Sequence, residues 1–258
     1  MDTDDPAGRT NDPKLPSTTR MGCVTLRVAD LDDAVAFYRD VVGLTLRERD
    51  GDGATLGTAD RDLLDLRAAP DAPERGRREA GLFHVAFRVP SRAALGAALA
   101  RIESRWELTG ASDHVVSEAL YCRDPEGNGV EVYRDTPPET WPREGSGVGI
   151  DSLPLDLADL ADAAPEAGAD ARGGVPDGTD VGHVHLEATD LARAEATYAD
   201  ALGLDVTQRY GDSAVFLAAG DYHHHLGINV WNGRTSPKRP ESRGLDAFEI
   251  VVPDAATL

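Results

Sequence analysis

At 258 residues and 41% apolar content, the chain is long enough for two domains of ordinary size with real cores. Its formal net charge of −20 argues against nucleic acid or an anionic membrane as partner, because both would repel it. The first twenty residues hold no apolar core of a signal peptide, and no run approaches the roughly 18 apolar residues of a membrane span, so a soluble cytoplasmic protein is expected.

Among the basic residues only Lys14 and Lys238 are lysine, and Asp outnumbers Glu about two to one. Such a balance resembles proteins of salt-loving organisms, in which high salt screens the self-repulsion. The two cysteines, Cys23 and Cys122, sit in apolar runs without CxxC spacing and read as free buried thiols.

Residues 1–20 read as a disordered leader rich in Asp, Pro and Thr. Residues 22–29 alternate like a strand. Asp30 then caps a helix whose apolar face carries Leu31, Ala34, Val35, Tyr38, Val41 and Val42, and Gly43 stops it. Short strand-like pieces follow to Leu66, and a polar loop spans 70–80. Leu82 to Val89 reads as the next strand. Ser91 caps a helix over about 92–104, and strands follow near 114–122 and 129–134, joined by the turn Asp124-Pro125-Glu126-Gly127-Asn128-Gly129. Residues 136–179, rich in Pro, Gly, Ala and Asp, read as a linker with one helix near 154–163.

The next segment repeats the first. Gly22 to Leu31 and Gly182 to Leu191 align at an offset of 160, as do Tyr38 with Tyr198, Asp40 with Asp200, and Gly43-Leu44 with Gly203-Leu204. This is an internal duplication. A fourth unit begins at Gly244, where Gly244 to Pro253 matches Gly81 to Pro90 at an offset of 163. The expected fold is α+β: tandem βαβββ modules, with the fourth module truncated. The expected organisation is a leader over 1–20, a first domain of modules one and two over 21–135, a linker over 136–179, and a second domain over 180–258. Homo-oligomerisation through unpaired strands of the second domain is a further expectation.

The helix ending in Gly-Leu, the strand Gly182-His183-Val184-His185-Leu186, the strand following Asp124-Pro125-Glu126-Gly127-Asn128-Gly129, and the run His223-His224-His225-Leu226-Gly227-Ile228-Asn229-Val230-Trp231 together resemble the vicinal oxygen chelate superfamily. It comprises glyoxalases, bleomycin-resistance proteins and extradiol ring-cleaving dioxygenases, and the likeness is greatest to two-domain proteins of the catechol 2,3-dioxygenase type. The resemblance implies modules paired into cup-shaped mixed sheets, the glyoxalase/dioxygenase fold, and a divalent metal held on the floor by a His on a module's first strand and a Glu on its last, with substrate oxygens chelating that metal. The first-strand positions here are Cys23, His84, His183 and Ala247, and the last-strand Glu is Glu131.

Strand parity tests these positions independently, since side chains two apart share a face. Val85, Phe87 and Val89 face the core, which puts His84 on the other side. Val130 and Val132 do the same for Glu131 and Tyr133, and Val184, Leu186 and Ala188 for His183, His185 and Glu187. His84, Glu131 and His183 therefore form a candidate two-His, one-carboxylate set shared between the domains. Such a set suits non-haem Fe(II), and also Mn, Zn or Ni. The competing layout uses Cys23, Asp65, His84 and Glu131 within the first domain. In the histidine run, packing of Ile228 and Val230 would put His224 on their face and His223 and His225 on the polar one. The resemblance implies an acid–base histidine on such a strand, for which His225 is the first candidate, then His223, with Tyr133 beside Glu131 a further candidate. His114 reads as paired with Asp113. The expected activity is metal-dependent ring cleavage of a catechol-type aromatic. The alternatives are a glyoxalase-like isomerase or lyase, or a non-enzymatic protein binding a small oxygen-chelating molecule.

Overall fold

The computed structural model describes residues 14–145, 147–165 and 173–255. Most of the expected leader lies outside these residues. Its last part does not hang free: the Leu15 amide donates to the Gly203 carbonyl, and Leu15 packs on the main core before the first strand begins.

The first module is β1 (Arg20–Val28), α1 (Leu31–Phe37), β2 (Thr45–Asp50), β3 (Gly53–Gly57) and β4 (Asp62–Ala68). The second is β5 (Gly81–Arg88), α2 (Arg92–Arg105), β6 (Gly110–Asp113), β7 (Ser117–Arg123) and β8 (Gly129–Asp135). In the connecting segment lie the paired β9 (Arg143–Glu144) and β10 (Gly147–Val148), followed by α3 (Leu157–Asp162). The third module is β11 (Asp180–Glu187), α4 (Leu191–Glu195), β12 (Asp205–Tyr210), β13 (Ala214–Ala218) and β14 (Leu226–Asn229). The last strand, β15 (Gly244–Val251), occupies the start of the fourth.

The duplication is visible in local detail. The Asp30 carboxylate caps α1 by accepting from the Asp33 amide, and the Asp190 carboxylate caps α4 through the Arg193 amide in the same way. Both helices widen into a π turn, over Tyr38–Val42 and Ala196–Ala201. After each, a glycine with φ of 97° or 88° reverses the chain, a conformation that L side chains resist.

The modules do not pair in the expected chain order. One sheet runs β15-β1-β4-β3-β2, joining module one to the start of module four. The other runs β12-β13-β14-β11-β5-β8-β7-β6, joining module three to module two through the antiparallel pair β11 and β5. Each strand interface satisfies the same backbone groups whichever module supplies the partner. Local pattern therefore could not choose between the two arrangements.

The apolar faces of both sheets feed one large core. Val85 and Phe87 from β5 and Val89 just after it, Val130 and Val132 from β8, and Val184 from β11 all belong to it, along with Val24, Leu26 and Val28 from β1. Burying each such side chain contributes about 1.5–3 kcal/mol. Parity then sends the alternate residues of β5, β8 and β11 to the opposite, concave face. The connecting segment is more than a tether. It crosses the open edge beside β6 through an antiparallel bridge between Asp113 and Leu153, and α3 packs on α2 at Gly96, where a Cβ would meet the Leu160 carbonyl at 2.7 Å.

Candidate metal centre and cavity

Three adjacent strands build the floor of the concave face. β5 lies between β8, its parallel neighbour, and β11, its antiparallel neighbour. In the ladders Ala86 stands opposite Glu131 on one side and opposite His183 on the other. The two flanking residues are thus two strand spacings apart, roughly 10 Å, and must lean over the middle strand to meet. A fully buried alanine at the centre leaves them room to do so. His84, two residues earlier on the same face of β5, completes the group. Close strand approach also matters: His84 pairs with Gly129, where a Cβ would lie 2.0 Å from the Phe83 carbonyl, so only glycine fits beside it.

The result is a tight triangle. His84 Nε2 lies 3.0 Å from Glu131 Oε2, His183 Nε2 lies 3.2 Å from the same oxygen, and the two imidazole nitrogens are 3.2 Å apart. All three residues are buried. Burial alone would raise the Glu131 pKa, but the facing His183 and His84 overcome this and hold it well below the usual carboxylate range. Burial pushes His183 down to about 4, against the pull of Glu131, so its imidazole is neutral near pH 7. An ionised carboxylate facing a neutral imidazole is the protonation state that metal ligation requires.

The donor set also fits an ion by size. Ligand atoms at right angles around an ion with bonds of about 2.0–2.2 Å stand about 2.8–3.1 Å apart. The observed separations of 3.0–3.2 Å are close to that. Among the described residues this is the group of His, Cys, Asp and Glu side chains placed to hold one metal ion.

A cavity of about 400 Å³ opens above the floor. His185, opposite His84 in the ladder, faces it and accepts from the Asn229 side-chain amide at 3.0 Å. His224 lines it too, its ring centroid 4.2 Å from that of His183. Burial drives both imidazoles well below the ordinary histidine value. Behind His224 runs a buried chain: His223 Nδ1 lies 2.7 Å from His224 Nδ1, and His223 Nε2 lies 2.9 Å from Asp135 Oδ1.

The alternation expected across the histidine run does not hold, and neither His223 nor His225 lines the cavity. β14 begins only at Leu226, so residues 223–225 lie in the irregular turn before it, and alternation does not extend back to them. It is His224 that lines the cavity. His225 turns away, its Nδ1 accepting from the Ala219 amide at 3.2 Å. His223 and Tyr133 are fully buried and form part of the wall behind the cavity lining, Tyr133 with its hydroxyl 2.7 Å from that of Tyr222.

The competing layout also separates. Cys23 lies on β1, in the other sheet, and its amide donates to Glu249. Burial, with Asp65 and Glu249 nearby, pushes its thiol up to about 12, so it holds its proton and is a poor ligand. His114 does not pair with Asp113. Its Nδ1 donates to the Asp151 carbonyl at 2.6 Å, and its Nε2 lies 2.7 Å from the Tyr121 hydroxyl, with both side chains lining the cavity. The bond to Asp151 comes from the connecting segment, so no local signal pointed to it. Tyr121, on the same face of β7 as Ala119, could have been found by parity had β7 been bounded correctly.

The model of the glyoxalase/bleomycin resistance protein/dioxygenase superfamily matches residues 20–132. The catechol-2,3-dioxygenase of Bacillus subtilis (strain 168) is 39% identical over 241 residues, covering 91% of this chain and 83% of that protein. The chain belongs to this superfamily. At that likeness over nearly its whole length it is a dioxygenase-type enzyme, and membership together with the His84–Glu131–His183 group implies a divalent metal. The superfamily fold is also that of glyoxalase I from Zea mays, whose structure matches with a TM-score of 0.55 at 18% identity, over 92% of this chain and 75% of that one. Among the described residues no helix is long and apolar enough to cross a membrane.

Proposed function

We propose that the protein is an extradiol dioxygenase that opens the ring of a catechol-type aromatic, with His84, Glu131 and His183 holding Fe(II). The observation that carries this reading is the convergence of one carboxylate oxygen and two imidazole nitrogens, 3.0–3.2 Å apart, at the floor of a cavity. Two imidazoles and one carboxylate on one face suit non-haem Fe(II), leaving the opposite face for substrate and O₂. The ion supplies Lewis-acid polarisation of the catechol hydroxyls and the electrons through which O₂ reacts. In the net reaction the ring bond beside the two hydroxyls breaks, and both atoms of O₂ enter the ring-opened product.

His224 takes the acid–base role in this scheme. Asp135 accepts from His223 Nε2–H, which leaves His223 Nδ1 to accept from His224 Nδ1–H. His224 Nε2 is then the basic nitrogen, fixed in tautomer by buried His223 and half-buried Asp135 and able to take a proton from a substrate hydroxyl. Asp135 and His223 are positioning residues. Tyr121, anchored through His114 to the connecting segment, offers a hydroxyl on the other wall. A purely ligand-holding protein is disfavoured, because burying Glu131 as a carboxylate among imidazoles serves no apolar cavity and carries a desolvation penalty.

The test is metal analysis of the purified protein, followed by anaerobic loading with Fe(II) and measurement of O₂ uptake with catechol. Stoichiometric metal, O₂ consumption and a ring-opened product by mass are expected. Protein that retains no Fe(II), Mn(II) or Zn(II) and consumes no O₂ would overturn the reading.

A further inference from the structure

We infer that the substrate is a neutral catechol carrying an apolar substituent rather than a carboxylated one; this rests on the ring-cleaving reading above and narrows it. The first observation is the charge of the cavity. Among the described residues none of its lining is Lys or Arg, while Glu131 and Asp151 both line it. Each of its imidazoles already has a partner on at least one ring nitrogen. His84 and His183 face Glu131, His185 takes the Asn229 amide, His114 bridges Asp151 and Tyr121, and His224 meets His223. A substrate carboxylate would leave water and find no cation to pair with. The chain's net charge of −20 adds a field that lowers the local concentration of anions.

The second observation is the shape and chemistry of the wall. Above the floor an aromatic surface runs outward without a break. Phe83 and His185 pack edge to face at 5.0 Å between centroids, and Trp231 lies 5.5 Å from Phe83 and 5.4 Å from His185. Phe216 extends the same wall at 5.8 Å from His185. Ile150, from the connecting segment, also lines the cavity, its backbone held on both sides by the Gln208 side-chain amide at 2.9 Å. At the mouth Trp231 and Tyr210 remain 47% and 56% exposed. Large aromatic faces left to water beside a cavity are what an apolar group would cover. A lone dihydroxybenzene ring seated on the floor is small against about 400 Å³ and would leave this wall bare.

The experiment is anaerobic calorimetry on the metal-loaded protein with 4-tert-butylcatechol, catechol and 3,4-dihydroxybenzoate, followed by kcat/KM for each from O₂ uptake. The tert-butyl compound should bind at least tenfold more tightly than 3,4-dihydroxybenzoate and more tightly than catechol. Trp231→Ala, a change at an exposed side chain, should remove the preference for tert-butylcatechol over catechol. Equal or tighter binding of 3,4-dihydroxybenzoate, no detectable binding of the tert-butyl compound, or an unchanged preference in Trp231→Ala overturns the inference. If the binding order holds but no O₂ is consumed with any catechol, the cavity preference stands and the ring-cleaving reading falls.

Discussion

Replacing Glu131 with Gln separates metal binding from folding. The carboxylate is 2% exposed and faces His84 and His183 across 3.0 and 3.2 Å, with Tyr121 beside it on the next strand. Without an ion, the pull of the facing imidazoles exceeds the desolvation that burial imposes on this carboxylate, so its charge stabilises the fold at neutral pH. Glutamine keeps the shape and removes that charge, so the metal-free variant should melt below the wild-type protein. With metal the gap widens. An ion that binds only the folded state at a hundred times its Kd adds about 2.7 kcal/mol. In a chain of this size each kcal/mol moves Tm by roughly 2–4 °C, so the wild-type protein should gain about 5–11 °C. The three ligands lie on β5, β8 and β11, so the ion ties module two to module three, and the gain should appear in the main cooperative transition. Differential scanning calorimetry with and without chelator, on wild type and Glu131→Gln, reads both effects. An equal metal-induced gain in the two proteins would refute the assignment of Glu131. A metal-free variant that melts at or above the wild type would refute the account of its charge.

His224→Gln should lower kcat by about 10²–10⁴-fold while leaving the metal content unchanged, as expected for loss of a general base that is not a ligand; metal loss alongside activity would contradict that role. His225 gives a pH signature. Burial, with His223 nearby, holds it at about 4 against 6.5 when exposed, so its neutral form stabilises the fold fully above 6.5. That contribution, about 3 kcal/mol, is lost as pH falls from 6.5 towards 4. His225→Asn retains an acceptor for the Ala219 amide and should flatten this part of the stability–pH curve; parallel curves for variant and wild type would rule the mechanism out. Tyr38→Phe removes the hydroxyl that donates to the Asp124 carboxylate at 2.9 Å in a fully buried setting. It should cost about 1–3 kcal/mol in urea unfolding without altering metal content, and a neutral result would mean that Asp124 is satisfied by Asn128 and Glu126 alone.

Much of the site was legible because β-strand parity is strict. Val85, Val130 and Val184 had to face a core, so His84, Glu131 and His183 had to face away from it, whichever strands became neighbours. The offset of 160 likewise marked the repeated modules, and the capping aspartates and reversing glycines recur at that offset in three dimensions. Parity ended where regular backbone ended. His224 could not be chosen over His225 because the turn before β14 obeys no alternation.

The remaining features depend on contacts between residues far apart in the chain. Which modules share a sheet is decided by docking the β5 and β11 edges, whose backbone hydrogen bonds carry no sequence label. Tyr121 and His114 join the cavity because Asp151, 37 residues beyond His114, reaches back to hold the imidazole. The sequence by itself determined the modules, their cores and the face on which each candidate ligand stands. Only the tertiary structure decided that β5, β8 and β11 lie side by side with Ala86 between Glu131 and His183, because that adjacency is a property of packed edges and not of any local pattern.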